Sequence, residues 1–148
     1  MECLGQDMAI SSGGVNEEMR LVIGHRGAKD FLQRAVANGR LAHAYLFSGP
    51  AGIGKRALAM HFAQMLLCQG ARKRPCMQCS PCRKVERGIH PDLRLIEAEG
   101  KVISIGQIRE GIQQEVALKP YEAEYKIYII SDFQRATLAA ANCLLKTL

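Results

Sequence analysis

"HAYLFSGPAGIGKRALAMHFAQMLL", residues 43–67, joins three kinds of sequence in a row. A short apolar run, His43–Gly49, reads as a buried strand. Gly49, four residues, Gly54 and Lys55 follow, and then Leu58, Phe62, Met65 and Leu66 recur at helical spacing. Strand, glycine loop and helix in that order form the setting in which such a pattern cradles phosphate. Gly49, Gly52 and Gly54 let backbone amides curl around phosphate oxygens, the helix offers its positive end, and Lys55 reaches the outer phosphates. An inert glycine turn is the competing reading. The next position holds Arg56, where this pattern calls for Ser or Thr. A guanidinium has no lone pair to give a metal, so ATP or ADP can be held there while magnesium is held poorly.

Working outward, "AKDFLQRAVANG" (28–39) puts Phe31, Leu32, Ala35 and Val36 on one helical face, with Gly39 suited to end the helix. "DLRLIEAEG" (92–100) alternates like a strand. "SIGQIREGIQQEVALKP" (104–120) opens with Ser104 and Gln107 in capping-box relation, carries Ile105, Ile108, Ile112 and Val116 on one stripe, and stops before Pro120. "YKIYIISD" (125–132) is an apolar strand of the kind buried on both faces. "TLAAANCLLKTL" (137–148) is helical, with Leu138, Ala141, Leu145 and Leu148 on one side. Strands alternating with helices predict an α/β fold: a parallel sheet with helices on both faces.

The strand ending in Asp132 offers a carboxylate at the edge of the sheet where ligands sit, suited to a nucleotide's metal. A helix-start cap is the alternative role for it. Phe133 follows, where many P-loop ATPases place a glutamate, and a phenyl ring can neither take a proton nor orient water. The hydroxyl and the base are thus both lost, against hydrolysis.

The chain has 148 residues, 48% apolar, about the size of one domain. No apolar run reaches the 18 to 20 or so residues of a membrane span, and the start resembles no signal peptide. A cytosolic protein is expected, with reduced thiols. Four of six cysteines fall within fifteen positions: Cys76, Cys79 and Cys82 at intervals of three, and Cys68 upstream. This knuckle suits a tetrahedral structural zinc, with unliganded thiols as the alternative; the spacing lacks the further cysteine and proline of a ferredoxin cluster. Cys3 and Cys143 have no partner by spacing, and His25, His43, His61 and His90 show no ligand spacing. The net charge of +6 is concentrated in Arg72, Lys73, Arg74, Arg83, Lys84 and Arg87, against Glu86. That cluster fits either a phosphate backbone or a solvated face.

Together these motifs resemble the AAA+ module of the bacterial DNA polymerase III clamp-loader subunits, from about Leu21 to Leu148. The most telling stretches are "HAYLFSGPAGIGK", "CMQCSPC", "HPDLRLIEAEGKVISIGQIRE" and "LLKTL". "HPDL", "SIGQIRE" and "LKPYEAEYKIYIISD" look more like the delta-prime branch than gamma/tau. The resemblance implies a nucleotide cleft lined by Gly49, Gly52, Gly54, Lys55, Arg56 and Asp132, with Val22 and Ile23 near the adenine, and zinc on Cys68, Cys76, Cys79 and Cys82. It implies a stator in DNA replication, a component of a DNA-directed DNA polymerase (a nucleotidyltransferase), that supports ATP-driven loading of the sliding clamp with little hydrolysis of its own. Its partners would be gamma/tau and delta, and indirectly the clamp and primed DNA. A gamma/tau-like ATPase is the alternative; a P-loop kinase would need an acidic base that residues 56–67 do not contain.

In domain terms, residues 1–18 read as a flexible tail and 19–148 as a partial AAA+ domain with a zinc-binding insert at 68–87. The last helix has no stop signal and the chain ends on an apolar residue, which reads as truncation before the sensor-1 strand and before a Ser-Arg-Cys motif. The sheet is then expected to lack a central strand, leaving unpaired backbone and a marginally stable fragment.

Overall fold

The computed structural model describes residues 24–71 and 73–147. The elements run α1 (Arg26–Ala37), α2 (Lys55–Leu67), α3 (Ser80–Glu86), β1 (Leu93–Ile96) and α4 (Ile105–Ile108), then a π-helical segment (Arg109–Gln113), α5 (Gln114–Val116), β2 (Ile127–Ile130), a 3-10 turn (Phe133–Arg135) and α6 (Leu138–Leu145). β1 and β2 pair in parallel with Leu93 opposite Ile127 and Ile96 opposite Ile130. The helical stretch 105–116 forms the crossover between them, so 93–130 is one βαβ unit.

Strand pleating sends alternate side chains to opposite faces, and each face collects its own helices. Leu93, Ile127 and Ile129 pack with Leu32 of α1 and with Leu58, Phe62, Ala63 and Met65 of α2. Ile96, Tyr128 and Ile130 pack instead with Ile103, Ile108, Ile112 and α6 residues Ala140 and Cys143. Helices therefore cover both faces, as the alternating pattern predicts. Val85 of α3 is fully buried in the first of these cores, so the cysteine-rich insert is anchored to the domain.

The capping box forms as expected: the Ser104 hydroxyl accepts from the Gln107 amide, and Gln107 Oε1 accepts from the Ser104 amide. Four expectations are corrected or completed, the α6 one by showing which side of the helix is buried. Val116 is 44% exposed because the π-helical turn inserts a residue, and the stripe through Ile108 and Ile112 rotates off the core before reaching it. In α6 the buried side is Ala140 and Cys143, whereas Leu138 and Leu145 are 79% and 69% exposed. In β2 only Ile129 is fully buried; the other three residues are half-buried, since a two-stranded sheet leaves both strands an open edge. Residues 43–49 form no ladder with any described strand, although Phe47 is buried in the core. Apolar content drives that segment inward, but a strand also needs a neighbour to hydrogen-bond. The tail at 1–18, Cys3, Val22, Ile23, Arg72 and Leu148 lie outside the described residues.

Candidate functional site

Two constellations stand at opposite ends of α2. At its C-terminal end, Cys68 meets Cys76, Cys79 and Cys82, and the four sulfurs lie within 4.8 Å of one another. Ligands at the Zn–S length of about 2.3 Å in a tetrahedron would be about 3.8 Å apart, so a small contraction brings all four onto one ion. The backbone prepares this. Met77 turns left-handed at φ 60°, letting the chain double back between Cys76 and Cys79, and Pro81 stands in the first turn of α3, where Cys82 is buried. Amides of Gly70 and Cys76 donate to the Cys68 sulfur at 3.2 and 3.3 Å, and the Cys79 amide donates to Cys76 at 3.3 Å, the arrangement that steadies thiolates. Backbone amides of Gln78 and Cys79 bring the Cys76 thiol down to about 6, while burial raises Cys68 and Cys82. One ready thiolate and two reluctant thiols is the state a cation would resolve. Gly70 is required for space: a Cβ there would lie 2.8 Å from the Cys76 Cβ. Gln64 of α2, fully buried, donates to the Cys82 carbonyl at 3.1 Å and ties the lobe to the core.

At the N-terminal end of α2, Gly52 and Gly54 adopt φ of 71° and 88°, which side-chain-bearing residues rarely do, and Gly54 is the N-cap. Lys55 is 7% exposed, and its ammonium donates to the Gly49 and Pro50 carbonyls at 2.7 and 2.6 Å. Among the described residues it meets no carboxylate, so its charge is buried without a counter-charge. No amide from Ala51 to Arg56 donates to a described group. His25 braces the loop from outside, its Nε2 2.5 Å from the Ile53 carbonyl oxygen.

Arg56 forms an ion pair with Glu97, just past β1, tying the first turn of α2 to the end of the sheet. Asp132 sits past β2 at φ 52° and ψ 46°, opening the 3-10 turn without a side-chain cap. One carboxylate oxygen accepts from Gln134 Nε2 at 3.3 Å and the other lies 4.0 Å from Arg135, which also donates to the Lys101 carbonyl. Phe133 follows in the turn.

Sequence reading missed a third group. Asp92, 2% exposed, accepts from the amides of Tyr121, Glu122 and Ala123 at 2.5, 2.8 and 2.9 Å, fastening the start of β1 to the loop before β2. Burial alone would raise its pKa; the three amides outweigh that and hold it below the usual carboxylate value. His90, fully buried, accepts the Asp92 amide at Nδ1 and points Nε2 at Glu122 Oε1, 3.3 Å away. Burial keeps its pKa below the ordinary imidazole value, against the pull of Glu122 and Asp92. Lys84 of α3 closes the group on Glu122 at 2.5 Å. Only the "HPD" triplet hinted at this, because the partners are some thirty residues away.

A parallel βαβ unit, a glycine loop opening α2 and a four-thiol lobe make up an α/β domain. The family model described as DNA polymerase III, delta subunit, matches residues 24–148. The chain is 38% identical to the delta-prime subunit of DNA polymerase III from Bacillus subtilis (strain 168), over 95% of this chain and 41% of that protein. It is 41% identical to the delta-prime subunit of Pseudomonas aeruginosa over 72% of this chain and 33% of that protein, and 36% identical to the B. subtilis tau subunit over 86% and 22%. The chain belongs to the DNA polymerase III clamp-loader subunit family, with delta-prime and tau/gamma both among its relatives. It spans less than half the length of these relatives.

Proposed function

We propose that this chain carries the nucleotide-binding domain of a delta-prime-like stator, a cytosolic subunit that supports clamp loading in DNA replication while hydrolysing little or no ATP itself. The observation that carries this is the pair of replacements at the loop: Arg56, engaged with Glu97, stands where a metal-binding hydroxyl belongs, and Phe133 stands where the water-activating carboxylate belongs. Gly49, Gly52, Gly54, Lys55, Arg56 and Asp132 line the nucleotide cleft in this reading, with Val22 and Ile23 at its adenine side, and Cys68, Cys76, Cys79 and Cys82 hold a structural zinc that cross-links the lobe. Magnesium is seated weakly. Partners are gamma/tau and delta, with the sliding clamp and primed DNA reached through them. Lys84 already pairs with Glu122, so any contact of the basic lobe with DNA falls, among the described residues, to Lys73, Arg74, Arg83 and Arg87, all exposed.

The gamma/tau-like ATPase is the second reading, favoured by the 36% identity to tau. Reconstitution with gamma/tau and delta on primed DNA separates the two. A stator joins the assembly, and ATP turnover falls to background once the motor subunits' own P-loop lysines are replaced. Residual turnover lost on Lys55→Ala in this chain would establish the second reading instead.

A further inference from the structure

We propose that the loop at the start of α2 takes a nucleoside polyphosphate as the free anion, without a divalent metal, and that Arg56 does the metal's work by leaving Glu97 for a phosphate oxygen. This rests on the nucleotide reading of the loop above and names the ionic form that it accepts.

The positive side of the site is complete within the chain. Lys55 brings a buried ammonium held by two neutral carbonyls, and amides from Ala51 to Arg56 are uncommitted among the described residues. Arg56 adds a second fixed cation one residue further along the first turn of α2, which is thirteen residues long. Its pair with Glu97 is exchangeable: the two side chains are 38% and 52% exposed, and a half-solvated pair of single charges is weak. A phosphate carries more charge than a carboxylate and can take a guanidinium through two oxygens, whereas Glu97 meets Arg56 through Nη1 alone, so phosphate outcompetes Glu97 when it arrives.

The metal side is committed elsewhere. Arg56 has no lone pair and repels a dication placed beside it. Asp132, just past β2, accepts a hydrogen bond from Gln134 at 3.3 Å and has Arg135 4.0 Å away within its own turn, a cation that weakens its pull on a dication. A magnesium ion that coordinates the phosphates in solution therefore competes with Lys55 and Arg56 for the same oxygens and finds no hydroxyl ligand at position 56.

The test is equilibrium binding of ADP and ATP to the purified chain, once in EDTA and once in magnesium chloride, with Lys55→Ala locating the signal at the loop. Circular dichroism checks that each variant is folded. The expected result is a wild-type Kd in EDTA equal to or lower than that in magnesium. Arg56→Thr should weaken binding in EDTA by about tenfold, the worth of one charge-assisted contact, and magnesium should recover part of the loss. Glu97→Gln should tighten binding in EDTA, because Arg56 is then free of its competitor. Magnesium tightening the wild-type chain by about tenfold or more, or Arg56→Thr behaving as wild type, would overturn the inference while leaving the loop a nucleotide site. Wild-type chain that binds neither nucleotide in either buffer would overturn the nucleotide reading and this inference together.

Discussion

Replacing Asp92 should damage this domain more than any other single change to a charged residue. Its carboxylate is the sole acceptor for three successive amides, those of Tyr121, Glu122 and Ala123, and it is almost completely buried. Leaving a buried donor unpaired costs about 1–3 kcal/mol. Tyr121 is 84% exposed, so water can reach part of this loop and each amide belongs near the low end of that range. Three such losses give roughly 3–5 kcal/mol for Asp92→Ala, comparable with the whole stability of a small domain. Asp92→Asn keeps one oxygen but turns an amino group towards donors, for roughly 2–3 kcal/mol. Urea unfolding followed by circular dichroism reads both. Should Asp92→Ala prove too unstable to purify, hydrogen exchange on the wild-type chain reads the same contacts, because all three amides should be protected. The pKa of Asp92 is lowered in the folded state, so its contribution is complete above its unfolded value near 4 and is lost as pH falls through the folded value. Asp92→Asn should accordingly flatten the acid limb of the stability profile. A loss below about 1 kcal/mol for Asp92→Ala, or rapid exchange of the three amides in wild type, would refute the clamp.

Gly70→Ala should weaken zinc binding by at least about tenfold while leaving α1 and β2 folded, because its Cβ displaces Cys76; competition with a chromogenic chelator measures this. In metal-free chain, iodoacetamide should modify Cys76 ahead of Cys68 and Cys82, with a rate that rises through pH about 6 and then levels, since the Cys76 thiol is lowered while burial raises the other two. Glu97→Gln should cost less than about 1 kcal/mol in thermal or urea unfolding, because its pair with Arg56 is half-solvated.

What was legible in the sequence was whatever local periodicity and spacing encode. The capping box of Ser104 and Gln107 is a three-residue relation, and the cysteine knuckle is set by turns of two residues, so both could be read directly. Alternation along 92–96 marked the first strand for the same reason, whereas the apolar run at 127–130 showed a strand but not its open edge. Tertiary pairing was not legible. The apolar run at 43–49 reads as a strand, but a ladder depends on a neighbour that the run itself does not specify. Val116 fell off its stripe through one π-turn, which no spacing rule foresees, and α6 presents Ala140 and Cys143, with Leu144 beside them, rather than Leu138 and Leu145, because small side chains let it approach Ile103 and Ile108 closely. Asp92 and His90 were hidden because their meaning lies across the sheet, in Tyr121 to Ala123 and Glu122. Arg56 was readable as a departure, while its partner Glu97, forty-one residues away, was not.

The account depends on a phosphate loop that grips anions without priming water, and one measurement reaches that claim directly. Purified chain is mixed with ATP and magnesium, and inorganic phosphate is followed over many hours beside Lys55→Ala. The account predicts that the two traces coincide at the background rate of ATP alone. Phosphate release that is steady, magnesium-dependent and removed by Lys55→Ala would contradict it.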